Sequence, residues 1–328
     1  MKKYVMSVVA AATLCGSTAL AADMPVKAPR PAPAPVSPWD WAFGGALMSD
    51  YNFRGISQSN RGPSHTAYSE LRYNATSNFQ FYVASQYWAV TLPTNPTAEV
   101  DIFGGVRVTM DPLTFDFGGM YYWYPKERQH AAVAGAPFPP YPNGNVTLAN
   151  TDFWEVYGKV NWDVVKDRFA VGAAAYYSPS WLNTGASGLF ATVSAKVTLP
   201  AFRLGLGMVD EVGWYLSAEG GHYWLGTTNF VAGVLVNPIT GVGGVPLPDY
   251  STWNAGIGFT WKVATLDLRY YDTNLSKANC NVLTADPNAT FSPGNVTALN
   301  PGGFGSKWCG AAFIAAFKVD VVASQHLK

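Results

Sequence analysis

The residue types best suited to moving protons or attacking bonds are few in this chain, and they do not converge. Four histidines, His65, His130, His222 and His326, are scattered over loops, strand ends and tail. Ser217 and His222 are close in sequence, but five residues apart on a strand they face opposite sides, which is wrong for a nucleophile and its base. No His-Glu-x-x-His and no glycine-rich phosphate loop is present. The sequence therefore predicts no enzyme: no catalytic residue, no cofactor and no metal site. Glu99 and Asp101 share one strand face and could act as paired carboxylates or bind calcium. Pairing with Arg72 or Arg107 is the favoured reading, because a buried charge demands a partner. Cys280 and Cys309, the two cysteines outside the leader, are expected to form one disulfide. Closing a loop of that size contributes roughly 3–4 kcal/mol in the chain-entropy description.

The elements that must position these residues are strands. Lys2 and Lys3, the apolar run from Tyr4 to about Leu14 and the small-x-small Ala19-Leu20-Ala21 mark residues 1–21 as a cleaved signal peptide. Residues 22–38 are rich in proline and alanine and read as an extended spacer; 39–328 form the folded domain. The sequence has 21 basic and 21 acidic residues, and losing Lys2 and Lys3 leaves a slight acidic excess, which excludes a nucleic-acid binder. Charged residues are 13% of the chain, against about 25% in ordinary soluble domains. No later stretch is long and apolar enough for a membrane helix. An exported protein of this kind is a secreted β-protein or an outer-membrane barrel.

Period-2 alternation marks twelve segments, near 41–53, 65–75, 78–90, 98–110, 113–124, 151–163, 167–177, 187–199, 212–225, 250–262, 264–273 and 309–323. In one of them Trp253 and Trp261 frame Ala255, Ile257 and Phe259, while Thr252, Asn254, Gly256, Gly258 and Thr260 take the other face. Eight residues of tilted strand set the tryptophans about 20 Å apart, close to the apolar band between the aromatic girdles of a membrane barrel. Trp154 and Trp162 repeat the spacing around Val156 and Val160. Connections after strands 2, 4, 6 and 10 are tight, and those after odd strands are long. The connection after strand 8 breaks this rule, since residues 202–208 look like more strand; we read them as an extension of the sheet beyond the membrane. The fold class is thus an all-β antiparallel transmembrane barrel of about twelve strands.

The same parity puts nearly every strand charge on one face. Inward, pore-lining positions are Asp50, Arg54, Glu70, Arg72, Asp101, Arg107, Asp116, Glu155, Lys159, Arg168, Lys196, Glu219, Asp267, Arg269, Lys318 and Asp320. Lipid-facing positions include Val100, Ile102, Val193, Leu266, Phe313 and Phe317, with Trp154, Trp162, Trp253 and Trp261 as the girdle. Arg54, beside Gly55, is either a constriction residue that handles anions or, the favoured reading, a tie from the first loop to Asp50 or backbone carbonyls.

The stretch Ser49-Asp50-Tyr51-Asn52-Phe53-Arg54-Gly55-Ile56-Ser57-Gln58 resembles the opening signature of the TorF-type porin family of exported proteobacterial proteins. Glu99-Val100-Asp101, Tyr122-Trp123-Tyr124-Pro125, Tyr176-Tyr177-Ser178-Pro179 and Arg269-Tyr270-Tyr271-Asp272-Thr273 follow in the same order, over nearly the whole mature chain. The resemblance implies an outer-membrane porin of a Gram-negative bacterium and carries over no substrate-binding residues. The partners expected are outer-membrane lipid, small hydrophilic solutes and the barrel-assembly machinery. Phe317-x-Val319-x-Val321 keeps the alternating approach to the end, but the polar His326-Leu327-Lys328 departs from the usual aromatic finish. The alternative is a non-conducting barrel that acts through loops 125–150 and 274–308.

Overall fold

The computed structural model describes residues 38–128, 147, 150–206, 209–229 and 244–327. The expected signal peptide, nearly all of the spacer, His130 and most of loop 125–150 lie outside them.

Twelve strands close into one antiparallel barrel. They are β1 Trp39–Met48, β2 Ser64–Asn74, β3 Phe79–Trp88, β4 Glu99–Met110, β5 Leu113–Trp123 and β6 Phe153–Val165, then β7 Phe169–Ser178, β8 Gly188–Leu206, β9 Val209–Leu225, β10 Tyr250–Trp261, β11 Ala264–Thr273 and β12 Ala312–Val322. Each pairs with its sequence neighbours, and β1 closes the ring on β12 from Ala42↔Val322 to Met48↔Ala316. Closure leaves no edge, the condition for a sheet to live in lipid. Five connections at one rim are tight and six at the other are long, so both β1 and β12 meet the tight-turn rim with their outer ends.

The segment that broke the turn rule belongs to β8. It pairs with β9 past Leu199↔Trp214 to Leu206↔Val209, after β7 has stopped at Phe169↔Val197, and so extends the hairpin beyond the barrel wall. Two expectations need correction. β1 ends at Met48 rather than near 53, because Ser49 onward turns into the barrel. Arg168 is exposed in the turn between β6 and β7 and does not line the lumen, since β6 runs on to Val165 and shifts the turn.

The two faces are inverted relative to a soluble sandwich. Phe313 and Leu47 are each 67% exposed on the outside. Trp154, Trp162 and Trp253 are also exposed outside and Trp261 is half-buried; Trp154 and Trp253 stand towards the long-loop rim, Trp162 and Trp261 towards the tight turns. Most strand charges point in, together with a set of buried rings that includes Tyr82, Tyr122, Tyr157, Phe190, Tyr215 and Tyr223. An apolar exterior around a polar interior is stable only where the outer solvent is hydrocarbon.

Candidate functional site

The long-loop half of the lumen is filled by the chain's own first loop. Residues 52–57 form a small hairpin, Asn52–Phe53 against Ile56–Ser57, whose two central residues Arg54 and Gly55 both have positive φ, 49° and 88°. That is the twist of a type I′ turn, which explains the glycine. The Asn52 side chain accepts from Gly55 N at 2.9 Å and braces the turn. A Cβ on Gly55 would lie 2.3 Å from Thr273 Cγ2 and 2.5 Å from Thr252 Oγ1, so the hairpin tip presses on β10 and β11.

Arg54 is carried across the lumen to β6. Its Nη1 and Nη2 each donate to a Glu155 oxygen at 2.7 Å, and Nη1 also meets Tyr223 Oη at 3.0 Å. The guanidinium carbon sits 4.6–5.0 Å from the ring centres of Phe53, Tyr176, Phe190 and Tyr223. Tyr122 donates to the other side of Glu155 at 2.9 Å. Arg54 is therefore not tied to Asp50. Asp50 instead accepts from Ser57, Ser59 and Arg61 and holds the base of the loop. Burial pushes the Asp50 carboxyl above its ordinary value, against the pull of Ser57, Ser59 and Arg61.

A second contact fixes the hairpin to β3 and β4. Tyr51 stacks on Trp88, with ring centres 4.0 Å apart and planes 3° off parallel, and donates to Glu99 at 2.7 Å. The loop after β11 covers the hairpin from above. Helix α1, Lys277–Thr284, is capped by Ser276 and joined by the Cys280–Cys309 disulfide to the segment before β12. Ser57 N donates to Trp308 O, and Arg61 donates to the carbonyls of Lys307 and Gly310.

Towards the tight turns the remaining inward charges pair among themselves. Glu70, 0% exposed, accepts two bonds from Arg107 at 2.7 and 2.9 Å and one from Arg72; Arg107 also reaches Asp116 at 3.3 Å. Arg269 is held by Asp267, Asn254 and Ser217, and Tyr215 completes Asp267. Lys159 lies over Tyr157 at 4.2 Å and Lys196 over Tyr215 at 4.4 Å. Asp320 accepts from Tyr68, while Lys318 and Glu219 are half-buried on the same inward face. Arg72 and Arg107 are thus committed to Glu70 and Asp116, and the expected pairing with Glu99 and Asp101 does not form.

The filling is uneven. Inward positions of β2 to β6 carry Glu70, Arg107, Tyr82, Asp116 and Tyr157. Those of β7 to β9 carry Ala170, Gly172, Ala174, Ser194 and Ser217, all half-buried. Small residues thus gather on one side, beside the larger Lys196, Tyr215 and Glu219 of the same strands. His222 shares a hydrogen with Ser251 at 2.8 Å near the rim, and Ser217 serves Arg269, so these two do not combine.

A family described as a bacterial protein of unknown function, Gcw_chp, matches residues 32–232. No curated protein matches the chain. Similar solved structures include the COG4313 outer membrane channel of Pseudomonas putida, 7% identical, covering 88% of this chain and 97% of that one at a TM-score of 0.39. LpxR of Salmonella typhimurium is 9% identical, with coverages of 85% and 99% and a TM-score of 0.36. The NanC porin is 8% identical, with coverages of 86% and 98% and a TM-score of 0.35.

Proposed function

The chain belongs to the Gcw_chp family of bacterial proteins of unknown function, and from its interior we propose a porin-like outer-membrane channel that its first loop holds closed. The long loops face the outside of the cell and the tight turns the periplasm, the usual polarity of such barrels. Export by a cleaved signal peptide and insertion by the barrel-assembly machinery belong to the same reading. So do the TorF-type resemblance of residues 49–58 and the absence of a catalytic role.

The observation that carries it is the Arg54–Glu155 pair. A permanent stopper needs only apolar packing, whereas this one buries a charge pair at a turn tip with two positive-φ residues. Buried ion pairs contribute little net stability and specify a particular arrangement. A non-glycine residue in the left-handed region, here Arg54, is of the kind that gathers at clamps and switch regions. With the hairpin withdrawn, the lumen beside the small residues of β7 to β9 would reach the outer mouth and pass small hydrophilic solutes. Mixed lumen charge predicts weak ion selectivity.

The test is swelling of liposomes that contain the refolded protein in small sugars. Wild type is expected to swell slowly and Arg54→Ala faster. Equal rates, both at the level of empty liposomes, would sink the channel reading. The second reading, a non-conducting barrel with a surface role, is favoured by the disulfide-built platform at 274–308, which exposes Phe291 and Val296.

A further inference from the structure

Two carboxylates under the plug have no counter-charge. Glu99 is 2% exposed and Asp101 0%, and no ion pair among the described residues reaches either. Glu99 accepts from Tyr51, and Asp101 Oδ2 accepts from Trp88 Nε1 at 3.1 Å. Among the described residues, Asp101 Oδ1 has no hydrogen-bond partner, and neither has Gln86 Oε1. Gln86 and Asp101 are register partners on the same inward face of β3 and β4, with Cβ atoms about 5 Å apart in such a pair.

The Gln86 amide cannot simply turn round. Thr66 Oγ1 gives its one proton to the Tyr87 carbonyl at 2.7 Å, so towards Gln86 it only accepts, and Gln86 Nε2 donates to it at 3.0 Å. The amide oxygen is left as an acceptor beside another acceptor. A proton on Asp101 Oδ1 turns that carboxyl into a donor, satisfies both atoms and removes one of two uncompensated charges. Neutralising a dry carboxylate costs far less than burying it ionised.

We propose that Glu99 and Asp101 form a proton-binding site, in which a proton on Asp101, shared with Gln86, keeps the first loop seated. The proposal rests on the closed-channel reading and adds its control. The hydroxyls facing the site are Tyr51, on the plug, and Tyr124, just past β5, both bonded to Glu99. Tyr51 bridges Glu99 and Trp88, and Tyr122, the register partner of Asp101, bonds Glu155, which is spent on Arg54. Among the described residues, no cation of the first loop, β3, β5 or β6 pairs with either carboxylate. Proton loss sets two like charges two residues apart in a dry wall, and water enters by displacing Tyr51. The plugged state holds the extra proton, so it is favoured at lower pH and lost as pH rises through the site.

Two measurements on the full refolded chain test this. Infrared difference spectra at neutral pH are expected to show the carbonyl stretch of a protonated buried carboxyl, lost in Asp101→Asn. Planar-bilayer recordings are expected to show openings that become frequent as pH is raised in wild type and stay rare in Asp101→Asn. No Asp101-dependent band, or the same pH profile in both proteins, overturns the proposal. So does a missing band together with a calcium-dependent rise in melting temperature that Asp101→Asn abolishes, which would make the occupant a metal cation. An Asp101-dependent band in a protein silent at every pH, in wild type and Arg54→Ala alike, supports the proton site and removes the channel reading instead.

Discussion

Arg54 and Glu155, 101 residues apart in sequence, face each other across the inside of the barrel through two hydrogen bonds of 2.7 Å. The contact joins a loop tip to a strand on the opposite wall, and in the proposed channel it is what holds the outer mouth shut.

Removing one partner should release the loop. Arg54→Ala leaves Glu155 buried without its cation, Tyr122 still donating to it, and losing half of a buried pair costs roughly 3–5 kcal/mol. The cost falls on the plugged state, since water reaching the chamber relieves it. Urea unfolding in vesicles should show a smaller loss for the barrel than cleavage of loop 1 by protease shows for the plug. A variant with both charges replaced by leucine or methionine should regain most of the protection.

The strand between Trp253 and Trp261 separates outside from inside. Ile257→Arg, facing lipid at mid-depth, should cost about 2–4 kcal/mol. On the sequence alone Asn254→Arg looks harmless, because its face is wet. The structure changes this: Asn254 Oδ1 accepts from Arg269 at 2.7 Å, so a second guanidinium there removes an acceptor and adds repulsion. A loss of about 1–3 kcal/mol is expected, with Asn254→Asp nearly neutral. Equilibrium unfolding of the three variants checks the order.

Close backbone approach inside the wall can be probed at one glycine. A Cβ on Gly118 would stand 2.5 Å from both Gly104 O and Tyr157 Oη. Gly118→Ala should therefore cost about 1–3 kcal/mol. Gly220, with nothing within 4 Å, should tolerate alanine within about 0.5 kcal/mol. Melting temperatures of the pair decide it.

Reducing the Cys280–Cys309 disulfide should loosen the cap more than the barrel. The bridge closes a 29-residue separation, for which chain entropy gives roughly 3–4 kcal/mol. Ile56 bridges to Cys309, so the plug feels the loss. Protease cleavage near residues 49–63 should quicken with reductant, while the barrel's own unfolding midpoint moves little.

Much of the wall is legible in the sequence, because lipid outside and charge inside impose a strict period of two. Trp154, Trp162, Trp253 and Trp261 fall where that period puts them, and Glu70, Arg72, Arg107, Asp116, Asp267 and Arg269 all turn inward. Arg168 escapes because a strand end two residues longer moves it into a turn. The partners are not legible. Alternation says that Arg107 faces in but not that Glu70 rather than Asp101 receives it, since that depends on register across three strands. Arg54 is harder still: a local tie to Asp50 is the economical reading of its sequence neighbourhood, and only the folded loop shows Glu155 to be within reach.

The closed lumen is tested most directly by single-channel recording from the refolded protein in a planar bilayer, wild type beside Arg54→Ala, at one voltage and neutral pH. Rare openings in wild type and frequent stepwise conductance in Arg54→Ala are the predicted result. A wild-type protein already open with the same steps as the variant would contradict it.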